Sequence, residues 1–213
     1  MDTKQFILSF AGEEDRQHVL DMIVTSFVRF DPLVNYLSLT VDDFTSYARP
    51  YINASIQQQL ALIARDVRDN SVAGVCIAHD VITEVAHDTA QLSPRVENYI
   101  EFFQALTSPL EQNAPASPGT ILCAGFLAVD SKYYGANIPS LMNEYLLTAA
   151  RARGYSKVVS EFTNPSNYYS YKRMFGSILK TVTILPYNDF INSKNEQPLK
   201  GAHGETILTI MDI

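Results

Sequence analysis

The stretch LAVDSKYYGANIPSLMNEYLLTAARARGY, Leu127 to Tyr155, joins an apolar run to an amphipathic segment through a short turn with one glycine. From Ile138 the apolar positions Leu141, Met142, Tyr145, Leu146 and Ala149 follow at steps of three and four, which predicts a helix with one buried stripe. Gly154 lies just past that stripe as a C-terminal stop. The first backbone N–H groups of such a helix have no internal partners and carry partial positive charge. A glycine in the preceding turn lets an anion approach them, and Gly135 is where that site needs one. A turn of this kind either holds a phosphate or merely reverses the chain, and one glycine does not separate the two readings.

Outward from this stretch, TILCAGFLAV is apolar nearly throughout and predicts a central strand covered on both faces. LALIARD and VAGVCIAHDV, separated by turn residues, predict an antiparallel hairpin, and KQFILSFA a first strand. GEEDRQHVLDMIVTSFVRF predicts a helix with acids in its first turn, ended by Asp31-Pro32 because the residue before proline avoids the helical region. VDDFTSYARPYINASIQQQL predicts a second helix with a bend at Pro50, and PRVENYIEFFQALTSPLEQ a third. After the quoted helix come KVVSEF as a strand, PSNYYSYKRMF as a short helix, SILKTVTIL as a strand, a polar loop, and ETILTIMDI as the closing strand. The expected class is α/β, an α+β mixed sheet of about seven strands with helices on both faces, in a single domain spanning 1–213.

The bulk composition narrows the function classes. The chain has 213 residues, 46% hydrophobic and 18% charged, enough for one sizeable core. Its net charge of −7 and the absence of a Lys/Arg run speak against nucleic acid, and the balance favours a cationic small substrate. No run is long and apolar enough to cross a bilayer, and MDTKQFILSFAGEED lacks a signal-peptide layout, so the expectation is a cytoplasmic protein without a membrane partner. Cys76 and Cys123 each sit inside an apolar strand, as buried thiols in a reducing compartment do. No His/Cys/Asp/Glu set has metal-ligand spacing, so no metal is expected, and no nucleophile motif points to a covalent acyl-enzyme.

The segment Leu127 to Gly176, with its strand, turn, helix, strand and short helix in that order, resembles the acetyl-CoA core of the GNAT superfamily of N-acetyltransferases. The family's turn reads Gln/Arg-x-x-Gly-x-Gly/Ala; here Lys132 keeps the positive charge, Gly135 is present, and Asn137 replaces the last small residue. SFVRFDPLVNYL, with Asp31 before Pro32, is similar to the Asp/Glu-Pro-Leu-Asn segment of insect arylalkylamine and polyamine acetyltransferases. The resemblance implies an acetyl-CoA-dependent N-acetyltransferase in which a small primary amine attacks the thioester directly, with acetyl-CoA as cosubstrate.

It implies roles for particular residues as well. The backbone of Leu127, Ala128 and Val129 would pair with the pantetheine arm, in a slot opened where this strand splays from Lys157 to Phe162. Lys132, Gly135, Ala136, Asn137, Ile138 and Ser140 would take the pyrophosphate, and Asn164 would touch the cofactor or cap the following helix. Tyr171 would protonate the leaving thiolate, with Tyr168 and Ser170 as register alternatives because Phe175-Gly176 inverts the family's Gly-Phe pair, and the serines that the insect subgroup uses near this helix would match Ser166 or Ser170. Asp31 is the candidate base, its alternative being a turn aspartate before Pro32; His79 and His203 are lesser candidates.

Asn137, Pro139 and the inverted pair support a rival reading, a weak or inactive relative kept for CoA or protein binding. The first two helices and the last loop are rich in aromatic residues (Phe27, Phe30, Tyr36, Phe44, Tyr47, Tyr51, Tyr187, Phe190), which suit an arylalkylamine pocket or a core equally. The sequence is compatible with a homodimer and does not fix the oligomeric state.

Overall fold

A computed structural model describes residues 5–83, 85, 92–113 and 117–213, with the backbone alone at 111–113. Seven strands form one sheet: β1 Phe6–Phe10, β2 Ala61–Asp66, β3 Val72–Asp80, β4 Ile121–Val129, β5 Lys157–Phe162, β6 Lys180–Pro186 and β7 Glu205–Asp212. Their order is β1-β2-β3-β4-β5-β7-β6, antiparallel throughout except for the β4–β5 pair. Among the described residues six α-helices flank it: α1 Arg16–Phe30, α2 Pro32–Tyr36, α3 Val41–Gln57, α4 Pro94–Asn113, α5 Ile138–Ala152 and α6 Pro165–Phe175. The mixed sheet with helices on both faces is as the sequence predicts.

Strand alternation splits the core into two layers. Ile63, Val75, Ile77 and Phe126 pack under α1 to α4, whereas Leu62, Cys76, Leu122 and Val158 pack under α5 and α6. The buried stripe of α5 is turned slightly from the expected one: Ile138, Met142 and Leu146 enter the second layer together with Leu147 and Ala150, whereas Tyr145 is exposed, each large buried side chain adding roughly 2 kcal/mol. Cys76 and Cys123 are free and buried, as expected.

One expected boundary holds and one shifts. Asp31-Pro32 does end α1, with Asp31 extended at φ −80°, ψ 123°, but the chain re-enters a helix at once. Asp31 caps α2 through Val34 N, and Pro32 sits in its first turn, where the missing N–H costs nothing. The strand expected from Ser177 begins only at Lys180, because Gly176–Ile178 form a 3-10 turn. Helix α3 runs through Pro50, held at its start by the reciprocal Thr40–Asp43 capping pair. Among the described residues no helix is long and apolar enough to cross a membrane.

Candidate functional site

Strands β4 and β5 pair from Ile121/Lys157 to Ala124/Ser160 and then part. Beyond that point β4 still pairs with β3 up to Val129, and β5 with β7 up to Phe162. Gly125–Val129 therefore presents one unpaired backbone edge to a slot, and an unpaired edge is a template for an extended ligand with amide groups. The slot begins at a bulge: Ile77 faces Phe126 and Ala78 faces Ala124, leaving Gly125 as the extra residue of β4.

The slot widens into a cleft of about 1340 Å³, larger than the ~300–1,000 Å³ of a common small-molecule pocket. One end is the turn. Asp130 N donates to Ala73 O, and the Asp130 carboxylate accepts from Lys132 N. Gly135 has φ +82° and Asn137 φ +60°, so the two residues that tolerate left-handed backbone stand where it occurs. In α5 the Leu141 N–H is accepted by Asn137 O, which leaves the N–H groups of Ile138 and Ser140 open at the helix start; Pro139 has none. A Cβ built on Gly135 meets nothing within 4 Å, so Gly135→Ala is expected to cost only its backbone strain, about 1 kcal/mol, measured by urea denaturation.

Leu127, Ala128, Val129, Gly135, Asn137, Ser140 and Asn164 all line the cleft. Lys132, Ala136 and Ile138 do not: Lys132 Nζ pairs with Asp69 at 3.2 Å over the Tyr133 ring, and the Ile138 side chain is buried beneath α5. Asn164 caps α6 through Ser166 N while facing the cleft, so both of its expected roles are geometrically open. Tyr171 and Ser170 line the cleft from α6. Tyr171 packs against Phe162 and Phe175 at 5.1 and 4.5 Å and shares a hydrogen bond with Ser160. Burial holds its phenol well above the usual range, which suits hydrogen bonding to a thiolate better than full proton transfer.

On the opposite face of the sheet lies a chamber that the sequence did not delimit. Tyr47 and Tyr51 of α3, Tyr99 and Phe103 of α4 and Phe126 of β4 form its wall, with Tyr47 and Tyr99 edge to face at 4.7 Å. Phe27 and Phe30 also border it, whereas Phe44, Tyr187 and Phe190 are core and Tyr36 is exposed outside. Asp31 reaches it, buried, and accepts from Thr163 Oγ1 as well as from Val34 N. Burial raises its pKa against the lowering effect of those bonds. His79 is buried beside Tyr51 at 5.2 Å, its Nδ1 without a partner among the described residues, and burial depresses its pKa to about 4. His203 is exposed and outside the cleft.

Glu161 was missed by sequence reasoning. It opposes Leu208 on β7, so its side chain faces α4, into the chamber. Among the described residues its carboxylate has no hydrogen bond or ion pair, and burial raises its pKa to about 7. Its only signal was a carboxylate in alternation with Val159 along KVVSEF.

No family model matches the chain, and no curated protein does. Solved structures do. The C-terminal condensation domain of Ebony, in complex with beta-alanyl-dopamine, superposes with a TM-score of 0.86 at 19% identity, covering 98% of this chain and 99% of that one. The chain has the GNAT fold. A mosquito arylalkylamine N-acetyltransferase, like 5b, gives 0.77 at 14% identity over 98% and 100%. The Drosophila melanogaster polyamine N-acetyltransferase that forms N-acetylagmatine gives 0.77 at 11% identity over 98% and 100%. The β4–β5 parting expected from the resemblance is present in this chain, and the identities are low enough that activity must be argued from its own residues.

Proposed function

We propose that this protein transfers an acyl group, acetyl from acetyl-CoA, to a small primary amine of the arylalkylamine or polyamine kind. The observation that carries the reading is the open β4 edge, with an anion-competent helix start at one end and a carboxylate-and-tyrosine chamber behind it. The pantetheine amides pair with Leu127–Val129, and the diphosphate takes the N–H groups around Gly135 to Ser140. The thioester carbonyl then lies beside the Gly125 bulge, where an unpaired N–H can polarise it. The amine approaches from the tyrosine side, and the thiolate leaves toward Tyr171 and Ser170. Two carboxylates, Asp31 and Glu161, favour a cationic acceptor there.

Calorimetry with acetyl-CoA and CoA, followed by thiol release across a panel of amines, tests this. Binding with turnover at least tenfold above background is expected; no heat and no thiol release would end the reading. A second reading has its own support, because Lys132 is tied to Asp69, Pro139 lacks a donor, and the Ebony domain is a condensation domain seen with beta-alanyl-dopamine. On that reading the donor is an aminoacyl thioester, and a beta-alanyl thioester outperforms acetyl-CoA in the same assay.

A further inference from the structure

We propose that Glu161, not Asp31, accepts the proton of the attacking amine. The proposal rests on the acyl-transfer reading above and deepens it.

Asp31 is occupied. Its Oδ1 accepts from Val34 N at 2.9 Å, its Oδ2 from Thr163 Oγ1, and together these hold the start of α2 against the end of β5. A proton placed on Asp31 Oδ2 would require the Thr163 hydroxyl to turn round and accept, disturbing that clasp. Glu161 has no such commitment. It is the first residue of β5 past the last β4 pair, beside the Gly125 bulge, where the slot opens. Gly125 contributes no side chain, and a Cβ there would stand 3.9 Å from His79 Cε1, so the space between β3 and Glu161 remains open for a ligand.

Thr163, which holds Asp31, lies two residues beyond Glu161, and both carboxylates border the chamber. His79, nine-tenths buried and lining the same cleft, has no partner for its Nδ1 among the described residues, an independent sign that a polar ligand completes this chamber. The titratable groups facing Glu161 are Tyr47 and Tyr51 from α3, Tyr99 from α4, Cys123 from β4, His79 from β3 and Asp31 at the α1–α2 junction. The tyrosines and Cys123 are held protonated by burial and His79 is held neutral, so none of these competes for the proton near neutrality; Asp31 is also raised by burial, but its two oxygens are held by Val34 N and Thr163 Oγ1. From β7, Leu208 is apolar, and Arg173 reaches the cleft from α6, on the other layer.

The step balances as follows. The ammonium gives one proton to the Glu161 carboxylate, and the freed lone pair forms the C–N bond at the thioester carbonyl. The C–S bond breaks with its electron pair on sulfur, the thiolate takes the second nitrogen proton, and Glu161 releases the first to solvent. A carboxylic acid whose pKa is lifted toward neutrality by burial is matched to this task.

The test uses the full chain and its Glu161→Gln variant, both carrying carboxyl-labelled glutamate, titrated by NMR between pH 5 and 9 with and without tyramine. One carboxyl titrating near pH 7 is expected in the wild type alone, moving down by at least one pH unit when tyramine binds. With acetyl-CoA and tyramine, Glu161→Gln is expected to lose about 100-fold or more in kcat while keeping its CoA affinity. Asp31→Asn keeps the acid limb near pH 7 and loses stability instead. A Glu161 titration that tyramine does not move, or a Glu161→Gln rate within threefold of wild type, overturns the proposal. Movement without turnover counts against acetyl-CoA as donor and for the Glu161–amine contact.

Discussion

Replacing Glu161 by glutamine is expected to stabilise the fold by about 3 kcal/mol at pH 8 and to leave it unchanged below pH 4.5. Burial raises the Glu161 pKa from 4.5 to about 7, so the folded chain binds this proton more tightly than the unfolded one. The associated stability is fully present below pH 4.5 and is lost as pH rises through 7. A gap of roughly 2.5 pH units at 1.36 kcal/mol each gives the magnitude. His79 runs the other way: its pKa is depressed from 6.5 to about 4, so its contribution is present above pH 6.5 and is lost as pH falls through 4. The wild-type stability curve mixes the two. The difference between wild type and Glu161→Gln isolates Glu161, because His79 is common to both. Urea denaturation at half-unit steps from pH 4 to 8 measures it, and a difference that does not change with pH would show that the carboxylate is well solvated. About 3 kcal/mol is a large share of the ~5–15 kcal/mol that holds an ordinary domain together. A lone, half-buried carboxylate held above its usual range at the mouth of a cleft is where stability and function trade against each other.

The seven strands and the long helices were legible because their periods, two and three to four residues, recur often enough to be read. Helix α2 was not, since five residues from Pro32 to Tyr36 hold barely more than one turn. The left-handed Asn137 was readable from residue chemistry alone, because asparagine adopts that conformation more readily than most. Glu161 and Lys132 were not readable for a shared reason: what decides each lies far away in sequence. Alternation along KVVSEF puts Val159 and Glu161 on one face, and a polar residue on an alternating strand normally marks the solvent side. Here α4, some 60 residues earlier, covers that face, so the charge is turned inward. Lys132 carries the charge an anion needs, but Asp69, on the turn between β2 and β3, claims it. Asp31 lies between these cases. Its capping position before Pro32 was legible, and its hold on Thr163, 132 residues away, was not.

Gly74→Val is expected to destabilise the fold by about 3 kcal/mol, and Gly74→Ala by about 2 kcal/mol, because α5 starts directly on the β3 backbone. A Cβ at Gly74 would stand 2.9 Å from Ile138 Cγ2, 3.1 Å from the Ala128 carbonyl oxygen and 3.4 Å from Met142 Sδ. The carbonyl belongs to the β3–β4 ladder and cannot yield, so Ile138 must move. Ile138 is almost fully buried and is the first residue of α5, so moving it tilts the N–H groups that face the turn. Ile138→Ala alone is expected to cost about 3 kcal/mol through the cavity it leaves. Combined with Gly74→Ala, the new methyl enters space that Ile138 has vacated, so the double variant should lose at least 1 kcal/mol less than the sum of the singles. Losses that simply add would mean that the strand and the helix start are not in contact. CoA titrations of the same variants then separate packing from binding. If the helix start holds the diphosphate, Gly74→Ala weakens CoA by tenfold or more at a pH and temperature where it remains folded. Unchanged affinity would place the phosphates elsewhere along the cleft.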